Sequence, residues 1–130
     1  MLDTNVLVSA LHFGGRPRRV FESVLRGRHR LVIGPAILSE FEAVLVKTCA
    51  WDAARAGAVR GELEALADSV VPVEVPDVCR DPDDNEVLAI AAVGRAEVIV
   101  TGDVDLLALG AFEGVSVMTV AEFDDMPPDE

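Results

Sequence analysis

The chain has no tyrosine, one tryptophan and five phenylalanines among its 130 residues. With so few aromatics, extensive base stacking is not a plausible means of reading nucleic acid unless Phe13 or Trp51 is exposed. Lysine is nearly absent, Lys47 being the single example. The two cysteines, Cys49 and Cys79, fit no metal-ligand spacing and read as reduced, partly buried thiols of a cytosolic protein. The two histidines, His12 and His29, are isolated, so no zinc cluster is expected and both suit surface or packing roles. No stretch reaches the roughly 18 consecutive apolar residues of a membrane span. No basic segment precedes an apolar one at the start, so a secretory signal is not expected and the cytoplasm is the expected compartment.

What is present is apolar bulk and acid. At 51% hydrophobic residues the chain is expected to fold, and its length suits one domain with its own core better than two. The net charge is −12, yet the charge is unevenly spread. Arg16, Arg18, Arg19, Arg26, Arg28 and Arg30 fall close together, opposed only by Glu22. From Glu74 onward fifteen acids face only Arg80 and Arg95. The basic segment is either a solvated helix face or a surface that meets a polyanion or an acidic partner.

Apolar periodicity alternates between strand and helix. Leu2 begins a very short strand, and Asn5–Leu11 reads as a helix stopped by Gly14-Gly15. Pro17 suits a first helical turn, and Val20, Phe21, Val24 and Leu25 form a stripe up to Gly27. Leu31–Ile33 is a compact strand before a helix with its apolar stripe on Ile37, Phe41, Val44 and Leu45. Asp52 is placed to cap the next helix. Val70–Val75 suggests an edge strand around Pro72. A helix follows Asp81 and ends at Gly94, and Val98–Thr101 is the clearest buried strand. A short helix to Leu109, a strand at Val115–Met118 and a helix from Thr119 to Phe123 complete the order. Residues 1–123 therefore read as one domain and 124–130 as a flexible acidic tail. Such alternation argues for a parallel sheet covered on both faces.

Acids gather where strands give way to helices: Asp3, the Asp81-Pro82-Asp83-Asp84 run, and Asp103 with Asp105. In an open parallel sheet these junctions share one edge, where ligands bind. Each acid alone is a good helix cap. Carboxylates at several junctions together point instead to a divalent cation, because convergent like charges persist most easily around one. Glu40 and Glu42 border their apolar stripe about equally, and only the earlier position of Glu40 on its helix favours it.

The segments Leu2–Leu11, Ser39-Glu40, Asp81–Asn85 and Val100–Leu107 together resemble a PIN-domain protein. The likeness runs from Leu2 to about Glu122 and is strongest to toxin components of bacterial toxin–antitoxin systems, the VapC-like branch. It implies a three-layer α/β/α sandwich with a central parallel sheet of about five strands. It also implies a Mg²⁺- or Mn²⁺-dependent endoribonuclease. Carried over, Asp3, Glu40, Asp84 and Asp103 are the catalytic acids, with Asp3, Asp84 and Asp103 on the metal. Thr101, Asn5, Asp81 and Asp105 support the site, the register of the Asp81 loop being open. Arg16, Arg18 and Arg19 are the expected RNA contacts. The implied partners are RNA, a cognate antitoxin and a second copy of the chain. Family members have more apolar residues before the first Asp than Met1 and Leu2. Either the start is truncated or the first strand is very short, which bears on stability rather than chemistry.

Two other classes compete. An aspartate-nucleophile phosphohydrolase of the haloacid dehalogenase type needs a second Asp two residues after the first, where Asn5 stands, and a catalytic lysine. An inactive PIN-like module that only binds protein would have no need of four converging acids.

Overall fold

The computed structural model describes residues 1–126. The amino-terminal half contains α1 (Thr4–His12), α2 (Gly15–Leu25), β1 (Val32–Ile33), α3 (Pro35–Lys47) and α4 (Ala53–Leu66). After β2 (Asp68–Ser69) come α5 (Pro82–Val93), β3 (Val98–Val100) and α6 (Val104–Leu109). The described chain closes with β4 (Ala111–Phe112), β5 (Val115–Met118) and α7 (Val120–Asp124). Of the expected acidic tail, Asp124 belongs to α7 and residues 127–130 lie outside the described residues.

The fold is mixed α/β, but the expected central sheet of about five parallel strands is replaced by two small sheets. β1 pairs in parallel with β2. β3 pairs in parallel with β5, which pairs antiparallel with β4. The expected first strand is reduced to a single parallel bridge, Leu2 to Val100. It is so short because Asp3 already caps α1. Backbone bonds on either side, Asp3 N–H to Val100 O at 3.1 Å and Val100 N–H to Met1 O at 2.9 Å, fix its register.

The strand expected over Val70–Val75 is displaced to β2. Pairing reaches Val70, whose N–H donates to Ile33 O at 2.8 Å. It stops there because Pro72 has no N–H to continue the ladder. β4 is an addition: Ala111 and Phe112 fold back on β5 through Glu113 and Gly114, at φ 47° and 82°. Two successive positive φ angles are the signature of a tight hairpin turn.

One hydrophobic core joins all these pieces. Leu7, Ile33, Leu38, Phe41, Leu45, Leu88, Ile90 and Ile99 are its fully buried large side chains. α5 is enclosed over most of its length, with Val87 through Ala91 all buried. The fit of α5 against β1 depends on two glycines. A Cβ on Gly34 would lie 2.5 Å from Ile90 Cδ1 and 2.9 Å from Val70 O, and one on Gly94 would collide with Val32. Among the described residues no helix is long and apolar enough to cross a membrane.

Candidate metal centre

Three helix starts deliver the acids to one place. Asp3 ends the Leu2 bridge and caps α1, accepting the Thr4 N–H at 2.7 Å on Oδ1. Its Oδ2 accepts the hydroxyl of Thr101 at 2.8 Å. Thr101, fully buried just after β3, also accepts the Asp103 N–H at 3.0 Å on its Oγ1. One hydroxyl therefore orders acids that are 100 positions apart in sequence. Asp103 in turn caps α6, accepting from Asp105 N–H at 2.9 Å and Leu106 N–H at 3.2 Å. Asp81 caps α5 by accepting the Asp83 N–H at 2.9 Å. The first turn of α5 then carries Asp84 inward, to 6% exposure.

The result is a cleft of about 80 Å³. Asp3, Glu40, Asp81, Asp83, Asp84 and Asp103 all line it, with Thr4, Asn5 and Val87. Five of the acids singled out by sequence, Asp3, Glu40, Asp81, Asp84 and Asp103, thus meet in one small space. The tie between Glu40 and Glu42 is broken by direction along α3. Glu40 lines the cleft, whereas Glu42 turns to α4 and pairs with Arg60 at 3.0 Å.

So much negative charge in little solvent raises proton affinities. Asp84 is pushed up to about 7, first by burial and then by Asp103, Asp81 and Asp3. Asp3 is raised chiefly by burial, with the bonds from Thr101 and Thr4 opposing. Glu40 is raised by desolvation at the cleft wall and then by Asp83 and Asp3, against a long 3.4 Å bond from the Thr4 hydroxyl.

One oxygen of Asp84 is buried without any hydrogen-bond partner, Oδ2. Such an orphan is rare and calls for an explanation. Asp84, Asp103 and Asp105 each offer an oxygen, all within 4.8 Å of one another. An oxygen-only donor set of this kind fits a hard divalent cation. Asp3 is not in that closest trio, and both its oxygens accept hydrogen bonds, from Thr4 and Thr101. Asp105 is in it, but its carboxylate also takes the Arg80 guanidinium at 3.0 and 3.2 Å.

The arginines expected to meet RNA lie on α2, away from the cleft lining, and are already paired. Arg19 reaches Asp124 at 2.7 Å, Arg16 lies 3.8 Å from Asp124 and 3.7 Å from Asp125, and Arg18 pairs with Glu22 at 3.3 Å. Arg26 and Arg28 have no such carboxylate among the described residues, and they line a groove between α2 and α7. Lys47 closes α3 and does not line the cleft, so the phosphohydrolase reading has no lysine at the site among the described residues.

Sequence reasoning passed over Thr4, which links α1 to Glu40, and Arg80. It also passed over Asn85 as a single residue. Asn85 is buried beside Asp84 and grips the preceding loop, with Oδ1 accepting from Val78 N–H at 3.1 Å and Cys79 N–H at 2.7 Å. Its Nδ2 donates to Cys79 O at 3.0 Å. A polar amide opening the apolar run that follows it was the available signal.

The family model of the PIN domain matches residues 1–105, which contain every acid of the cleft. The chain belongs to the PIN domain family. PIN domains are in general metal-dependent nucleases, which supports a hydrolase acting on nucleic acid in general terms, and the acidic cluster is one that could bind a metal. No curated protein and no solved structure matches the chain.

Proposed function

We propose that the chain is a Mg²⁺- or Mn²⁺-dependent endoribonuclease, the toxin of a bacterial toxin–antitoxin pair acting in the cytoplasm. The observation that carries the catalytic part is the orphan oxygen of Asp84 beside Asp103 and Asp105 in the cleft of a PIN domain. RNA as substrate, the toxin role, a cognate antitoxin and a homodimer rest on the resemblance of Leu2–Leu11 and Val100–Leu107 to the VapC-like branch.

In this reading Asp84 and Asp103 would hold the ion, with Asp3 completing the set and Asp105 in reserve against Arg80. When bound, the ion supplies Lewis acidity at the phosphate and a more acidic water. The residues of the chain do the rest. Thr101 keeps the Asp3 and Asp103 loops in register through its hydroxyl. Glu40, with its raised proton affinity and its place on the cleft wall, takes the proton of the attacking water. Water oxygen then bonds to phosphorus as the bond to the leaving ribose oxygen breaks; the leaving oxygen takes up a proton from solvent and Glu40 releases its own. For phosphate contacts Arg26 and Arg28 are freer than Arg16 and Arg19, which would first have to release Asp124.

Asp3→Ala is expected to lower RNA cleavage by about 100-fold or more while the fold persists, read by circular dichroism beside a gel assay. Cleavage at the wild-type rate by that variant in Mg²⁺ would remove the basis of the proposal.

A further inference from the structure

We infer that Phe13, backed by His12, Trp51 and Arg55, is a stacking platform for an unpaired base of single-stranded RNA. The inference rests on the ribonuclease reading and adds the place where its substrate is gripped.

Phe13 is 78% exposed, whereas Phe21 and Phe41 are buried and Phe112 and Phe123 half-buried. The backbone beneath it is fixed: the N–H groups of Phe13 and Gly14 both donate to Ser9 O, at 3.0 and 2.9 Å. Gly14 at φ 84° then turns the chain into α2. The ring is not an isolated apolar residue. His12 meets it edge-on, with ring centroids 4.6 Å apart at 80°. The Trp51 indole Nε1–H donates to His12 Nδ1 at 3.2 Å. The Arg55 guanidinium lies 3.9 Å from the Trp51 ring centroid. Arg55 has no carboxylate within 4.0 Å among the described residues, and neighbouring Asp52 is occupied capping Ala54 N–H at 2.7 Å.

An exposed aromatic face near a guanidinium that no carboxylate neutralises suits a planar base with a phosphate beside it. The position also fits. α1 starts at the acidic cleft and ends at Phe13, so its nine residues set the two sites about 13 Å apart. A strand held at the platform reaches the cleft within a few nucleotides.

Trp51 is the sole tryptophan, so its fluorescence reports on this platform directly. With EDTA present to prevent cleavage, a short oligouridine is expected to quench it, and a blunt RNA duplex of the same length is not. Phe13→Ala is expected to weaken oligouridine binding roughly 5- to 100-fold with unchanged melting temperature, and Phe13→Trp to restore it. Equal affinity of Phe13→Ala, equal quenching by the duplex, or full affinity of Phe13→Leu would each overturn the inference, the last by showing a merely apolar surface suited to a protein. The two readings fail separately. Binding lost in Phe13→Ala alongside cleavage indifferent to Asp3→Ala would sink the nuclease and leave the platform; the converse would sink the platform alone.

Discussion

Asp84 is the residue on which structure and function pull hardest in opposite directions. Its carboxylate is buried, one oxygen is unbonded, and three acids face it. Its folded proton affinity, about 7 against an ordinary 3.8, is raised. The folded state therefore holds a proton that the unfolded state has lost across that window. The stability this confers is full below 3.8 and gone once the pH passes about 7. The Asp84 contribution should accordingly be larger at pH 5.5 than at pH 8, with Asp3 and Glu40 shifted in the same direction. The buried Met1 amino group, pushed down to about 5, acts oppositely over that window, so the Asp84 part is read as the difference between wild type and Asp84→Asn. Asp84→Asn should remove that contribution and stabilise the metal-free fold at pH 8 by about 1–3 kcal/mol relative to wild type, read by thermal denaturation. Lower stability of the variant at pH 8 would mean that the carboxylate has a partner after all. The neighbouring pair on α3 makes a second contrast. Glu40→Gln should impair cleavage, whereas Glu42→Gln loses only a half-exposed pair with Arg60 and should shift stability by less than about 1 kcal/mol. The junction acids were legible because junctions are marked by local pattern. Glu40 against Glu42 was not, because both border the same stripe and only the packing of α4 against α3 separates them.

Among the elements, the parts dictated locally match the reading and the parts dictated by neighbours do not. The strand expected at Val115–Met118 is β5, Thr119 caps α7 with a reciprocal bond from Glu122, and Asp52 caps α4. Each depends on residues within one turn or one strand. The edge strand failed because Pro72 interrupts pairing that periodicity alone continues through. The β4 hairpin was missed because Glu113 is not a residue that announces a left-handed turn. α5 carries too little one-sided pattern to reveal its facing, being buried nearly all round. Its close approach to β1 gives the clearest test at this scale. Gly94→Ala has to displace Val32 and should lower stability by about 1–3 kcal/mol. Gly61, within α4 and with open space where a methyl group would stand, should behave oppositely. Gly61→Ala should raise stability by about 0.5–1 kcal/mol through helix propensity. Urea titration of both variants checks the pair, and a stabilising Gly94→Ala would mean that α5 can move off β1.

For the molecule as a whole the governing quantity is a charge of −12 concentrated away from the α2 arginines. Two effects of added salt must then be told apart. Any electrolyte screens the self-repulsion of an acidic protein and raises its melting temperature modestly. A divalent ion that binds the folded chain alone stabilises it further by mass action, about 2.7 kcal/mol at a hundred times its dissociation constant. For a chain of this size that corresponds to roughly 5–15 °C. MgCl₂ should therefore exceed NaCl at equal ionic strength. The excess should grow as the pH rises through about 7, where Asp84 gives up its proton. Asp84→Asn and Asp103→Asn should abolish that excess while keeping the screening response, because they change the net charge by one unit and the cleft entirely. Identical melting curves in the two salts at pH 8 would leave the acids of the cleft as helix caps that merely happen to share an edge, and calorimetric titration with Mg²⁺ would then show no heat of binding.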